Sequence, residues 1–343
     1  MSHIARICLL IPIVFPVLSN AASYTFVTFD YPGATATVLS GINNAGQIVG
    51  SFFTATTYLQ GFIRNADGSL VPIALPFPFT DSPASGINSS GQVVGASFYS
   101  GTFAVQGYLR STVGTYSTID DPVNPNNNGA FGINDGGMIV GSYADTSNPA
   151  FGHGFLRDTG GNFTTIDDPN MATNSNGNRY TNLSGLNTLG QIVGTYSDAA
   201  GSHGFLRSPA GVFTTIDDPN ATPGTTSVRG VNNLGVIVGT FMDSSGYHSF
   251  LRSADGSSYT TIDYPKGTLT GNLGINDSGD IVGSYFSSLT GGQQHGFIAT
   301  PTNSTVPESG ILALPGWNRR DRLLPPPTTH LSPRIIATTG PAM

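Results

Sequence analysis

The chain has 343 residues, 38% hydrophobic and only 10% charged, long enough to bury a core but poor in the ion pairs that dress a helical surface. Its 45 glycines and 23 prolines punctuate short extended segments better than they support helices, which favours an all-β fold. With 13 basic against 20 acidic residues, a net charge of -7 and Lys266 as the only lysine, the chain lacks the clustered cations of a nucleic-acid groove.

At the N-terminus a short basic region ends at Arg6, an apolar run extends from Ile7 to Leu18, and the small residues Ser19 and Ala21 follow. This pattern predicts a signal peptide over residues 1–21, and therefore an exported protein. The run is too short for a comfortable membrane span, and no later segment approaches ~18 consecutive apolar residues, so no stable membrane insertion is expected. Cys8 is the only cysteine and lacks the small-residue box that precedes a lipidated one, so it is expected to leave with the signal. A single cysteine also excludes an internal disulfide, a four-cysteine metal site and a CxxC redox pair.

A repeat dominates residues 22–300. The block Gly-aliphatic-Asn-x-x-Gly-x-aliphatic-Val-Gly starts at Gly41, Gly86, Gly132, Gly185, Gly230 and Gly274, at intervals of 45, 46, 53, 45 and 44 residues. Each copy is followed by a second block of the GFLR type, beginning at Gly61, Gly107, Gly154, Gly204, Ser249 and Gly296. A third block of the FTTIDDP type ends at Pro122, Pro169, Pro219 and Pro265, and has lost its Asp in SLVPIALP between Ser69 and Pro76. Its sixth copy stands in front of the first unit, as YTFVTFDYP from Tyr24 to Pro32. Each unit thus holds four strand-like pieces separated by turn residues. Four strands and about 46 residues per unit predict an all-β, six-bladed β-propeller of four-stranded blades, closed by the N-terminal strand. An open β-solenoid would need caps at both ends and would leave the displaced block unexplained.

The GIN-x-x-G-x-IVG, HGFLR and FTTIDDP blocks resemble the extracellular repeat family called HAF repeats, over roughly residues 24–300. Val306, Pro307, Glu308 and the apolar Ile311 to Leu314 resemble a degenerate PEP-CTERM sorting signal of exopolysaccharide-producing bacteria. Ser309 replaces its second Pro, and Pro315 cuts the apolar run before Arg319, Arg320 and Arg322. The Pro- and Thr-rich residues 301–343 are accordingly expected to form a disordered tail.

Candidate functional residues come from the repeated polar positions. Asn43, Asn88, Asn134, Asn187, Asn232 and Asn276 precede a Gly by three residues and are expected to organise the turn after the first strand. Arg64, Arg110, Arg157, Arg207 and Arg252 end the third strand and are expected to bond turn carbonyls or a neighbouring blade. His153, His203, His248 and His295 share one slot near the start of that strand, but Gln60 and Gln106 fill it in the other units, so the slot asks first for a hydrogen-bonding side chain. Antiparallel alternation brings the end of the second strand, the start of the third and the end of the fourth to one face. There Asp167, Asp168, Asp217, Asp218, His153, His203 and His248 are the candidate ligand-binding residues, and Asp145, Asp198 and Asp243 the candidate metal ligands. The longest insertion, residues 170–184, is expected to be a loop on this face.

No nucleophile elbow, HExxH, P-loop or mature thiol is present, and Glu308 is the only glutamate. No catalytic residue is therefore assigned. The expected function is a secreted bacterial surface or extracellular-matrix binding module, a monomer whose partner is a polysaccharide or cell-surface component. No cofactor is required, although clustered carboxylates would suit calcium. The alternative is an extracytoplasmic carbohydrate-active hydrolase or lyase working through Asp and His on the same face. The two readings separate on symmetry, because an active site should break the repeat at one cluster.

Overall fold

The computed structural model describes residues 23–55, 59–76, 79–99, 104–265, 267–288 and 292–302. The expected signal peptide, the sorting-signal-like segment and the tail beyond Thr302 lie outside the described residues. The described secondary structure is all β, without a helix, in a β-propeller arrangement of antiparallel meanders. No helix among these residues is long and apolar enough to cross a membrane.

The chain begins with β1 (Tyr24–Phe29) and then folds the first unit as β2 (Ala36–Ile42), β3 (Ile48–Phe53), β4 (Gln60–Arg64) and β5 (Leu70–Ile73), paired in that order. The second unit holds β6 (Phe79–Asp81), β7 (Ala84–Ile87), β8 (Val93–Tyr99), β9 (Val105–Arg110) and β10 (Tyr116–Ile119), with β6 and β7 both paired to β8. The third is β11 (Asn128–Ile133), β12 (Ile139–Ala144), β13 (Phe151–Arg157) and β14 (Phe163–Ile166), and the fourth is β15 (Arg179–Leu186), β16 (Ile192–Asp198), β17 (Gly201–Arg207) and β18 (Phe213–Ile216). Two parallel pairs, Phe151 with Arg179 and Gly152 with Tyr180, join these two units into one sheet. The fifth is β19 (Ser227–Val231), β20 (Ile237–Asp243), β21 (Gly246–Arg252) and β22 (Tyr259–Thr261). The sixth has β23 (Thr268–Ile275), β24 (Ile281–Phe286) and β25 (Gln294–Pro301), and takes β1 as its outer strand, with Tyr24 opposite Pro301 and Phe29 opposite Gly296.

Two elements differ from the sequence expectation. The second unit has a fifth strand, β6, because Phe79–Asp81 finds free pairing capacity on the long β8. The insertion of residues 170–184 is a loop only as far as Asn178, since Arg179–Leu186 is strand β15, extended by its parallel contact with β13.

The Ile-Val-Gly run explains how the units pack. Successive strand side chains point to opposite faces, so each Ile–Val pair serves two cores. Ile192 packs with Leu183, Tyr196 and Phe205 of its own unit and with Val140 and Ile166 of the unit before. Val193 packs with Ile216 and with Val228, Ile237 and Phe250 of the unit after. At the far end Val282 joins Leu39, Ile48, Phe52 and Phe62 of the first unit. The third residue of the run has no room for a side chain: a Cβ on Gly194 would stand 2.1 Å from the Asn182 carbonyl oxygen and 2.8 Å from the Phe205 ring.

Candidate functional site

Three histidines of the shared slot, His153, His203 and His248, each sit between two aspartates of their own unit. His153 Nδ1 lies 2.7 Å from Asp167 at the end of β14, and its Nε2 lies 3.3 Å from Asp145 after β12. His203 joins Asp217 at 2.9 Å and Asp198 at 3.1 Å, and His248 joins Asp263 at 2.6 Å and Asp243 at 3.1 Å. His295 bonds Asp30, the aspartate carried by the N-terminal segment, at 2.9 Å. In the second unit the Gln106 amide donates to Asp120 instead. Antiparallel geometry thus brings the three strand ends to one face. The rings also stack on Tyr143, Tyr196 and Tyr285.

Partial burial pulls the imidazole pKa values down. The bonds to and charge of the paired aspartates outweigh that, so His153, His203 and His248 end above the ordinary histidine value. Asp145 and Asp243 are held low chiefly by the side-chain and backbone donors of Ser147 and Ser245, Asp243 at about 2. Asp198 is raised by burial but lowered further by the Ala200 N–H and His203.

This arrangement bears on the candidate residues. Asp145, Asp198 and Asp243 accept from turn N–H groups at 2.6 to 2.7 Å while facing the imidazoles. The two carboxylates of each cluster bind opposite nitrogens of one ring and so diverge. Among the described residues no group of His, Cys, Asp or Glu is placed to hold a metal ion. Asp168 and Asp218 do not join the histidines. They are 3% and 4% exposed, accept from the N–H groups of Asn170 and Asn220, and burial raises their pKa values. The alternation that aims Asp167 and Asp217 at His153 and His203 turns their neighbours inward.

The repeated asparagines form a different structure. In the fourth unit Asn187 Oδ1 accepts from the N–H groups of Leu189 and Gln191, which organises a turn closed by Gly190 at φ 80°. Its Nδ2 donates to Gln191 Oε1 and, across the unit boundary, to the carbonyl of Asn232 at 3.0 Å. The same cross-unit bond links Asn43 to Asn88, Asn88 to Asn134, Asn134 to Asn187, Asn232 to Asn276 and Asn276 to Asn43. The arginines act as expected: Arg64, Arg110 and Arg252 reach turn carbonyls at 3.4 to 3.5 Å. Arg157, Arg207 and Arg252 also lie over Phe163, Phe213 and Tyr259, and Arg64 over Phe29 of β1.

The innermost strands line an axial passage. At the asparagine end is a recess of about 100 Å³, followed by a waist of about 80 Å³ where the first glycines of the six blocks meet. Beyond it lies a chamber of about 330 Å³ lined by Ser40, Ser85, Phe131, Ser184, Arg229 and Leu273, with Ser142 and Asn182. The first six are the residues before the first glycine of each block. Register shifts there in every innermost strand, as between Val228 and Gly230, and a bulge re-aims the extra side chain. Arg229 is solvent-accessible, and it lines the chamber, the waist and an adjoining groove. Its guanidinium has no hydrogen-bond or ion-pair partner among the described residues. Sequence reasoning missed this position. The signal was there, because Ser, Ser, Phe, Ser, Arg and Leu occupy one slot of an otherwise uniform block.

No family model and no curated protein sequence matches the chain. Among solved structures it is similar to TolB from Acinetobacter baumannii, with a TM-score of 0.51 and 12% identity over 78% of this chain and 64% of that one. It is similar to AofleA from Arthrobotrys oligospora, also with a TM-score of 0.51 and 12% identity, over 80% and 86% of the two chains. The Aleuria aurantia lectin AAL, solved with Fucalpha1-6GlcNAc, matches with a TM-score of 0.49 and 11% identity over 80% and 98%. At these identities the likeness to TolB and AofleA is one of fold, and the chain is similar to proteins of the β-propeller arrangement.

Proposed function

We propose that residues 22–300 form a closed six-bladed ring that acts, as an exported monomer without a resident cofactor, as a binding module for an extracellular polysaccharide or a comparable cell-surface polymer. Closure is supported by β1 pairing with β25 and by the asparagine bonds that return to Asn43. The observation that carries the binding reading is the broken symmetry of the axial chamber. The Asp–His clusters repeat from unit to unit, as a structural device does, whereas the chamber has Ser in three units and Phe, Arg and Leu in the other three.

Two grooves share walls with the chamber. One, of about 500 Å³, shares Phe131, Ser142 and Asn182 with it and adds Phe151 and Tyr180. The other, of about 290 Å³, shares Arg229 and adds Tyr247 and Phe286. A polymer lying across the mouth would meet flat aromatic faces in both grooves and hydroxyl and amide partners between them. Hydrolase or lyase chemistry has weaker support, since among the described residues no Asp, Glu or His lines the chamber. Glycan-array capture by the mature protein tests the reading. Retained glycan without released reducing ends is expected, with capture weakened by Tyr180→Ala and Tyr247→Ala. Release of sugar products, or no capture at all, would overturn it.

A further inference from the structure

We infer that Arg229 makes the axial chamber a site for a single carboxylate carried on a hydroxylated body, the chemistry of a uronate. The inference rests on the binding-module reading and specifies its ligand class.

The charge argument comes first. An accessible guanidinium on a concave wall, with no acceptor paired to it among the described residues, can form a charge-assisted pair with an anion. The other arginines placed on repeat positions meet carbonyls or aromatic rings, but Arg229 meets none and points into the chamber instead. Among the described residues the lining holds no second cation, so it fits one negative charge better than a phosphate dianion. The planar fork of arginine matches a carboxylate in two parallel bonds. The rest of the wall describes the remainder of the ligand. Ser40, Ser85 and Ser184 arrive from three different units and, with Asn182, offer donors and acceptors for hydroxyl groups. Phe131 supplies an apolar wall for the C–H face of a ring. A volume of about 330 Å³ lies within the range of about 300–1,000 Å³ usual for small-molecule sites.

The repeat provides a clean control. Serine already occupies the equivalent position in three units, so Arg229→Ser restores local symmetry and is expected to fold. Arg229→Lys keeps the charge and loses the fork. Calorimetric titration of the full mature chain would use galacturonate, an oligogalacturonate, galactose and inorganic sulfate. Both uronate probes are expected to bind the wild type. The oligomer binds more tightly if the ligand is a polymer, and both bind equally per site if it is the free acid. Galactose and sulfate are expected to bind at least about tenfold more weakly. Arg229→Ser should lose at least about tenfold in uronate affinity, the scale of one charge-assisted hydrogen bond, and Arg229→Lys should fall between. Undiminished uronate binding in Arg229→Ser, or sulfate binding as well as galacturonate, would overturn the inference. A neutral polysaccharide captured equally by wild type and Arg229→Ser would sink the uronate site and leave the binding module standing. Capture of no glycan by either protein would remove both.

Discussion

The side-chain amide of Asn276 donates to the main-chain carbonyl of Asn43 at 3.4 Å, across 233 residues of sequence. Five bonds of the same kind run forward through the intervening units, and each donor is 2 to 5% exposed. One asparagine therefore does two jobs: its oxygen holds its own turn and its nitrogen holds the next unit.

That division makes Asn187 a sensitive position. Asn187→Asp keeps the oxygen that organises the turn but removes both Nδ2 donors and sets a charge against the Asn232 carbonyl. Asn187→Asp is expected to destabilise at least as much as Asn187→Ala, whose cost is about 1–3 kcal/mol for stranded buried partners. Chemical denaturation of the two variants checks this order. A neutral Asn187→Asp would show that only the turn matters.

The N-terminal strand should matter to the sixth unit above all. Without residues 24–34, β25 loses its hydrogen-bonded neighbour, and Phe26 and Phe29 leave their contacts with Phe297 and Phe62. A chain starting at Thr35 is expected to melt lower than one starting at Ala22 and to self-associate through the bare edge. Equal melting temperatures and a monomeric sedimentation profile for both would refute the role.

The Asp–His clusters predict a pH dependence of definite sign. Histidines whose folded pKa is raised contribute stability that is fully present below about 6.5 and is lost as pH rises through the folded value. Asp198 and Asp243, held low, contribute stability present above about 3.9 and lost as pH falls through their folded values. The melting temperature should therefore be highest between about pH 4 and 6.5 and should decline toward pH 8.5. Because Gln fills the same slot in two units, a His153→Gln/His203→Gln/His248→Gln variant should fold and show a flatter profile above pH 6. The decline persisting unchanged in that variant would assign it elsewhere.

The Ile-Val-Gly run gives the largest expected effects. Ile192→Ala removes a fully buried side chain from one inter-unit core and is expected to cost about 2–5 kcal/mol. Gly194→Ala should cost no less, because the added methyl meets backbone and ring atoms that have nowhere to move. Thermal melts of both variants would detect this. A Gly194→Ala protein as stable as wild type would contradict the packing described.

Much of this was legible in the repeat. Recurring glycines, asparagines and Ile-Val pairs gave four strands per unit and the asparagine turns, and the misplaced YTFVTFDYP copy pointed to the outer strand of the sixth unit. Strand alternation could have separated Asp167 from Asp168, but adjacent aspartates at a strand end were read as one acidic surface. The bulge before each block was not legible. It arises from pairing between strands, and it turns an unremarkable slot into the wall of the chamber. Arg229 accordingly carried no sequence reading, and the asparagine bonds between units, which join residues some 45 positions apart, had no local signature at all.

In the closed ring proposed above, the bond from Asn276 to Asn43 and the packing of Val282 in the core of the first unit leave no terminus at which a copy could be added or dropped. In a stacked solenoid, loss of a repeat shortens the array and leaves the neighbouring interfaces intact. Here the missing copy would leave two cut faces of buried apolar surface that meet only if every other interface changed its angle. Recombination between these motif-sharing segments, spaced 44 to 53 residues apart, should therefore yield chains that fail as a whole, which fixes the copy number of such a ring while letting single lining residues diverge.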